Sequence, residues 1–144
     1  MRERANDRVV LRAAAREDLA AIAEIQRSAP EASQWPAADY LDHDCTVAEE
    51  DGRVLAFLVT RHTAPGEREI LNVAVEPAQR RRGLARRLLE RELAGSSGEW
   101  FLEVRASNVM ARKLYESLGF HETGRRENYY HAPPEQAIVM RFFS

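Results

Sequence analysis

Residues 69–86 read Glu69-Ile70-Leu71-Asn72-Val73-Ala74-Val75-Glu76-Pro77-Ala78-Gln79-Arg80-Arg81-Arg82-Gly83-Leu84-Ala85-Arg86. The run 69–75 is the most strand-like in the chain and ends at Glu76-Pro77, where proline cannot continue a ladder. From 83 to 94, Leu84, Leu88, Leu89 and Leu93 recur at helical spacing. Gly95-Ser96-Ser97-Gly98 closes that helix, and residues 100–105 alternate as a strand. The junction between strand 69–75 and helix 83–94 is the informative one. A helix N-terminus presents unpaired N–H groups and about half a positive charge, so a loop wrapped onto it can hold a pyrophosphate through its main chain. Gly83 lets the backbone approach an anion, Ala85 keeps the next turn small, and the arginines add charge-assisted bonds. The same residues can also be read as a solvated basic face with a loop glycine.

Working outward, residues 9–12 form a short strand, and 16–28 carry Leu19, Ile22 and Ile25 at helical spacing, with Glu17 and Asp18 in the first turn. A shorter helix is expected over 36–43, started by Pro36. Residues 46–50 and 53–60 flank Asp51-Gly52, a dipeptide suited to the positive φ values of a tight hairpin. Ser107 is expected to cap a helix carrying Met110, Leu114, Tyr115 and Leu118, with Gly119 at its left-handed end. Two extended runs, 119–130 and 136–143, finish the chain. The sum is an α+β (mixed α/β) class, with about seven strands and about four helices around a central mixed sheet.

Composition bounds the rest. One domain over 1–144 fits 144 residues at 44% hydrophobic and 31% charged, enough to bury a core. With a net charge of -2, nothing global argues for a nucleic-acid coat or a polybasic membrane anchor. No run approaches the ~20 apolar residues of a membrane span, and the first ten residues lack a signal-peptide core, so a cytoplasmic protein is expected. Cys45 is the one cysteine; it cannot form an internal disulfide and reads as a small core residue. His43, His62, His121 and His131 have no ligand spacing, so no metal is expected.

The pattern Arg80-x-x-Gly83-x-Ala85, preceded by Asn72-Val73-Ala74-Val75-x-Pro77, resembles the acetyl-CoA-binding segment of the GNAT N-acetyltransferase superfamily. Three further stretches sharpen this: Leu102-Glu103-Val104-Arg105-Ala106-Ser107-Asn108, then Leu114-Tyr115-Glu116-Ser117-Leu118-Gly119-Phe120, then Arg126 with Asn128-Tyr129-Tyr130. Together with Ala137, Ile138 and Met140 they are similar to the RimI-like branch, the ribosomal-protein-alanine N-acetyltransferases. The likeness runs from about residue 70 to 140; the first 50 residues match only loosely, chiefly through Trp35. It implies a GNAT-like fold with a mostly antiparallel central sheet and a transferase activity using acetyl-CoA as co-substrate. It further implies that Val73, Ala74 and Val75 offer backbone groups to the pantetheine and thioester, and that Arg80, Arg81, Arg82, Gly83, Leu84, Ala85 and Arg86 form the pyrophosphate cradle. Asn108 would hydrogen-bond the cofactor arm, Glu103 would be the general base and Tyr115 the general acid. Ala85 stands where many relatives have a second glycine, and the 95–99 connection is about four residues shorter than usual.

The chemistry suits those roles. An α-amine of pKa 7.7–8.0 needs about 1 kcal/mol to be neutral at neutral pH, whereas lysine needs nearly 5. A carboxylate of ordinary basicity therefore serves an N-terminal α-amine, with a ribosomal-protein amino terminus as the implied acceptor. A GNAT enzyme for a small-molecule amine or lysine side chain is the alternative. Glu103 shares a strand face with Phe101 and Arg105, so an exposed or Arg-paired carboxylate is its other reading, and for Tyr115 that reading is helix core. Residues 28–51 hold Glu31, Asp39, Asp42, Asp44, Glu49, Glu50 and Asp51 and no Lys or Arg. That stretch is either a solvated face or an acidic rim for a cationic peptide, with Tyr129 and Tyr130 as the opposite wall. No nucleic-acid or membrane partner is expected, and the chain is expected to be a monomer or weak dimer.

Overall fold

The computed structural model describes residues 8–29, 34–131 and 134–143. Glu31 of the acidic stretch and most of the first ten residues lie outside them, as does the Tyr130 side chain. The strands are β1 (Val9–Ala13), β2 (Asp44–Glu50), β3 (Arg53–Ala64), β4 (Glu67–Val75), β5 (Glu99–Arg105), β6 (His121–His131) and β7 (Pro134–Phe143). The helices are α1 (Leu19–Arg27), α2 (Leu84–Ala94) and α3 (Val109–Ser117). The fourth expected helix, 36–43, is a 3-10 helix over Ala37–Asp42. Two compact units are formed, Met1–Arg61 with Leu71–Glu92 and His62–Ile70 with Leu93–Ser144. Strands β3 and β4 run through both.

In the first unit the strand order is β1-β2-β3-β4. The β2–β3 hairpin closes on Asp51 (φ 52) and Gly52 (φ 82), the left-handed pair that the Asp-Gly dipeptide foreshadows. One face of β2 and β3, with Cys45, Val47, Phe57 and Val59, packs against Ile22 and Ile25 of α1 and against Tyr40. The other face carries Thr46, whose hydroxyl reaches Glu92 of α2. Leu84, Leu88 and Leu89 are buried, and each such side chain contributes about 1.5–3 kcal/mol.

In the second unit the order is β4-β5-β7-β6, antiparallel except for the parallel β4–β5 pair. The short 95–99 connection still delivers β5 in register, because the Glu99 N–H donates to the Gly66 carbonyl at 2.8 Å. A Cβ at Gly98 would stand 2.4 Å from that same carbonyl oxygen, so only glycine fits. Trp100, Leu102 and Val104 alternate with Phe101, Glu103 and Arg105, and the first three are buried. Tyr115 of α3 meets Phe120 edge-on at 5.7 Å, and Phe120 meets Phe142 at 5.4 Å. Among the described residues no helix is long and apolar enough to cross a membrane.

Candidate functional site

Each unit carries part of the predicted machinery. In the first, β4 runs into a single 3-10 turn, Pro77–Gln79, after which Arg80 is extended. Arg81 (φ 71) and Gly83 (φ 72) are both left-handed, and the Arg87 N–H closes the first bond of α2 on the Gly83 carbonyl at 3.0 Å. Alternation of this kind turns successive backbone N–H groups toward one side, the geometry of an anion nest. The N–H groups of Leu84 and Ala85 follow in the first helical turn, where no carbonyl of α2 precedes them. A Cβ added at Gly83 would meet nothing within 4 Å, so the space above the loop is open to a ligand. Arg80 and Arg81 are exposed.

The Arg82 side chain is engaged within the protein. Its guanidinium grips Glu50 at the end of β2 in a fork, at 3.1 and 2.8 Å, and donates to Gln79 Oε1 at 2.7 Å. The fork holds the Glu50 carboxyl below the usual carboxylate range, burial opposing. Glu50 was invisible as a site residue in the sequence because its direction depends on a register shift between Ala48 and Glu49.

Glu103, in the second unit, sits on β5 with its side chain 12% exposed, and Arg126 of β6 lies 3.4 Å from Oε1. Its Oε2 is buried and has no hydrogen-bond partner among the described residues. The Tyr129 phenol faces this carboxylate. Burial first and then Glu103 push the phenol's pKa up, with Arg126 opposing. The Arg126 guanidinium also lies 5.3 Å from the Tyr129 ring centre. The Arg126–Glu103 pair has no periodic signal in the sequence, since the β6–β7 register slips between Glu122 and Gly124, ahead of Arg126.

Tyr115 is 5% exposed and belongs to the ring cluster of α3. The cap of α3 is Asn108, not Ser107: Asn108 Oδ1 accepts from the Ala111 N–H at 3.3 Å. Ser107 instead gives its own N–H to Glu135, which also pairs with Arg105 at 3.3 Å, so the chain is anchored one residue before the helix can be capped. The parallel β4–β5 ladder covers Glu67–Glu99 through Ile70–Leu102, and among the described residues no β4–β5 pair follows it. Cys45 is buried, and its thiol is pushed up to about 12, chiefly by burial, which leaves no nucleophile there. Among the described residues no group of three or more His, Cys, Asp or Glu could hold a metal ion.

Residues 41–122 match the family described as an acetyltransferase (GNAT) domain. The [ribosomal protein bS18]-alanine N-acetyltransferase of Escherichia coli K12 is 43% identical over 108 residues, covering 70% of each chain. The uncharacterized protein ML0378 of Mycobacterium leprae is 41% identical over 118 residues, 74% of this chain but 33% of that longer protein. Among solved structures, the ribosomal-protein-S18-alanine N-acetyltransferase of Escherichia coli superposes with a TM-score of 0.78 at 32% identity, over 94% of this chain and 93% of that one.

Proposed function

The chain belongs to the GNAT acetyltransferase family, and on that premise we propose that it moves the acetyl group of acetyl-CoA onto the N-terminal α-amine of a protein, with a small-subunit ribosomal protein as the first acceptor. One acetyltransferase domain over 1–144 is part of this reading. The observation that carries it is Glu103: a largely buried carboxylate with one oxygen beside Arg126 and the other, buried, without a hydrogen-bond partner among the described residues. Such an oxygen can accept a proton, directly or through a water. The identity to the bS18-alanine enzyme supports an α-amine acceptor, as does the smaller cost of deprotonating one.

Acetyl-CoA supplies an activated thioester. The open left-handed loop at Arg81 and Gly83 fits its pyrophosphate, with Arg80, Leu84, Ala85 and Arg86 completing the cradle and Arg82 bracing it from beneath. Val73, Ala74 and Val75, which lie past the β4–β5 ladder, offer backbone groups to the pantetheine arm and the thioester carbonyl. Asn108 spends Oδ1 on its helix cap, and its amide nitrogen is the group to donate to that arm. Glu103 takes the proton from the attacking amine as general base. Tyr115 returns one to the departing thiolate as general acid.

The deciding experiment incubates the protein with acetyl-CoA and a bS18 amino-terminal peptide, with its α-amine free or blocked. Acetylation of the free amino terminus alone is expected by mass spectrometry; labelling confined to internal lysines, or to polyamines in preference to the peptide, overturns the reading. Glu103→Gln and Tyr115→Phe are each expected to lower turnover by roughly 10²-fold or more while acetyl-CoA affinity stays nearly unchanged. Wild-type turnover in either variant removes that residue from the mechanism.

A further inference from the structure

Resting on the acetyl-CoA reading of the 80–86 loop, we infer that Arg82 and Glu50 form a latch that holds this loop in its ligand-binding shape, so that Glu50 is a positioning residue for the cofactor. Glu50 belongs to none of the loop's motifs. It lies on β2, opposite Val9 of β1, thirty-two residues before Arg82. Three features of the molecule converge on it.

The first is geometry. Both guanidinium nitrogens of Arg82 meet both Glu50 oxygens, and the same guanidinium reaches back to Gln79 on the near side of the loop. A fork of that kind fixes orientation as well as distance. The second is placement: the pair is shielded, with side-chain exposures of 20% and 19%, whereas Arg80 and Arg81 on the same loop are exposed. Screening by salt is correspondingly weaker for the shielded pair. The third is strain. Arg81 has φ 71 without being glycine, a conformation that is strained for a residue with a Cβ. A hold on Arg82, the next residue along, keeps Arg81 in that conformation, and the fork from β2 supplies it.

The alternative use of Arg82, as a direct phosphate ligand that Glu50 competes for, predicts the opposite response to removing Glu50's charge. Under the latch, Glu50→Gln lets the loop populate other shapes and weakens acetyl-CoA binding. Under competition, it releases Arg82 and tightens binding.

Titration calorimetry of the whole chain with acetyl-CoA separates them. Glu50→Gln is expected to raise Kd about tenfold, as when the competent loop falls to about a tenth of the population. Arg82→Gln should do the same, and the double variant should be no weaker than either single one, because both remove one device. KM for the acceptor peptide should stay at the wild-type value. A Glu50→Gln protein that binds acetyl-CoA as tightly as wild type, or more tightly, overturns the latch, and so does a lower melting temperature with unchanged Kd. A wild-type protein that binds no acetyl-CoA overturns the cofactor reading itself, and the latch with it.

Discussion

Asp18 shows how much one carboxylate can organise. It is 6% exposed, accepts both guanidinium nitrogens of Arg12 at 2.7 and 2.9 Å, and takes the Ala15 N–H at 2.7 Å at the entry to α1. Arg12 holds the Asp18 carboxyl below the usual carboxylate range, against the opposing effect of burial. The folded pKa is therefore below the unfolded one, so the stabilisation is complete above about pH 3.9 and is lost as pH falls through the lower folded value. Asp18→Asn should destabilise by about 2 kcal/mol near neutral pH, the scale of a charged hydrogen bond. Urea titrations should show that gap closing as pH falls below the ordinary carboxylate value of about 3.9; a gap that persists unchanged into acid would contradict the ion-pair origin. Gly119 is constrained differently. It ends α3 at φ 108, and the N–H groups of Gly119 and Phe120 bond back to Glu116 and Tyr115, both at 3.0 Å. A Cβ there would lie 3.0 Å from the Phe142 ring. Gly119→Ala should cost about 1–2 kcal/mol from backbone strain before any displacement of that ring, readable as a drop in melting temperature.

At the scale of elements, a buried polar cluster joins three of them. Asn72 of β4 donates to Gln26 Oε1 of α1 at 3.1 Å and lies 3.0 Å from the Tyr40 hydroxyl of the 3-10 helix, which itself donates to Gln26. All three are buried, so removing one leaves the others short of a partner in a low-dielectric site. Asn72→Ala should destabilise by about 1–3 kcal/mol in thermal unfolding, and Tyr40→Phe by less, since its ring still packs on Phe57 at 5.7 Å. None of this cluster was legible beforehand, because the sequence shows where polar residues fall but not which of them meet across 46 positions. What was legible followed from local rules. The Asp51-Gly52 turn, the leucine period of α2, the alternation of β5 and the glycine end of α3 each rest on residues a few positions apart. The 3-10 character of Ala37–Asp42 and the cap at Asn108 depend instead on distant partners, Gln26 and Glu135. The same division holds in the site. The Arg80-x-x-Gly83-x-Ala85 loop could be read along the chain, while the Arg126–Glu103 ion pair and the Arg82–Glu50 fork came only with the strand registers.

For the molecule as a whole, the charge of -2 hides strong local order. The carboxylate-only stretch 28–51 reads along the chain as a solvated face or an acidic rim, and its last three members are each paired with arginine: Glu49 with Arg12, Glu50 with Arg82 and Asp51 with Arg8. Ion pairs of that kind largely cancel the field seen by an approaching peptide. Asp39 and Asp42 are exposed and form no ion pair among the described residues, so any attraction for a cationic acceptor within this stretch should lean on them. Neutralising both, as Asp39→Asn with Asp42→Asn, should lower kcat/KM for a basic amino-terminal peptide about threefold at low ionic strength. The loss should vanish near 1 M salt, where the Debye length falls to about 3 Å. Glu49→Gln should show a smaller salt-dependent loss, because Arg12, 2.7 Å away and shared with Asp18, offsets part of its charge. Equal salt-dependent losses in the two proteins would mean that the stretch acts as one acidic surface after all, with its arginine partners too mobile in solution to cancel it.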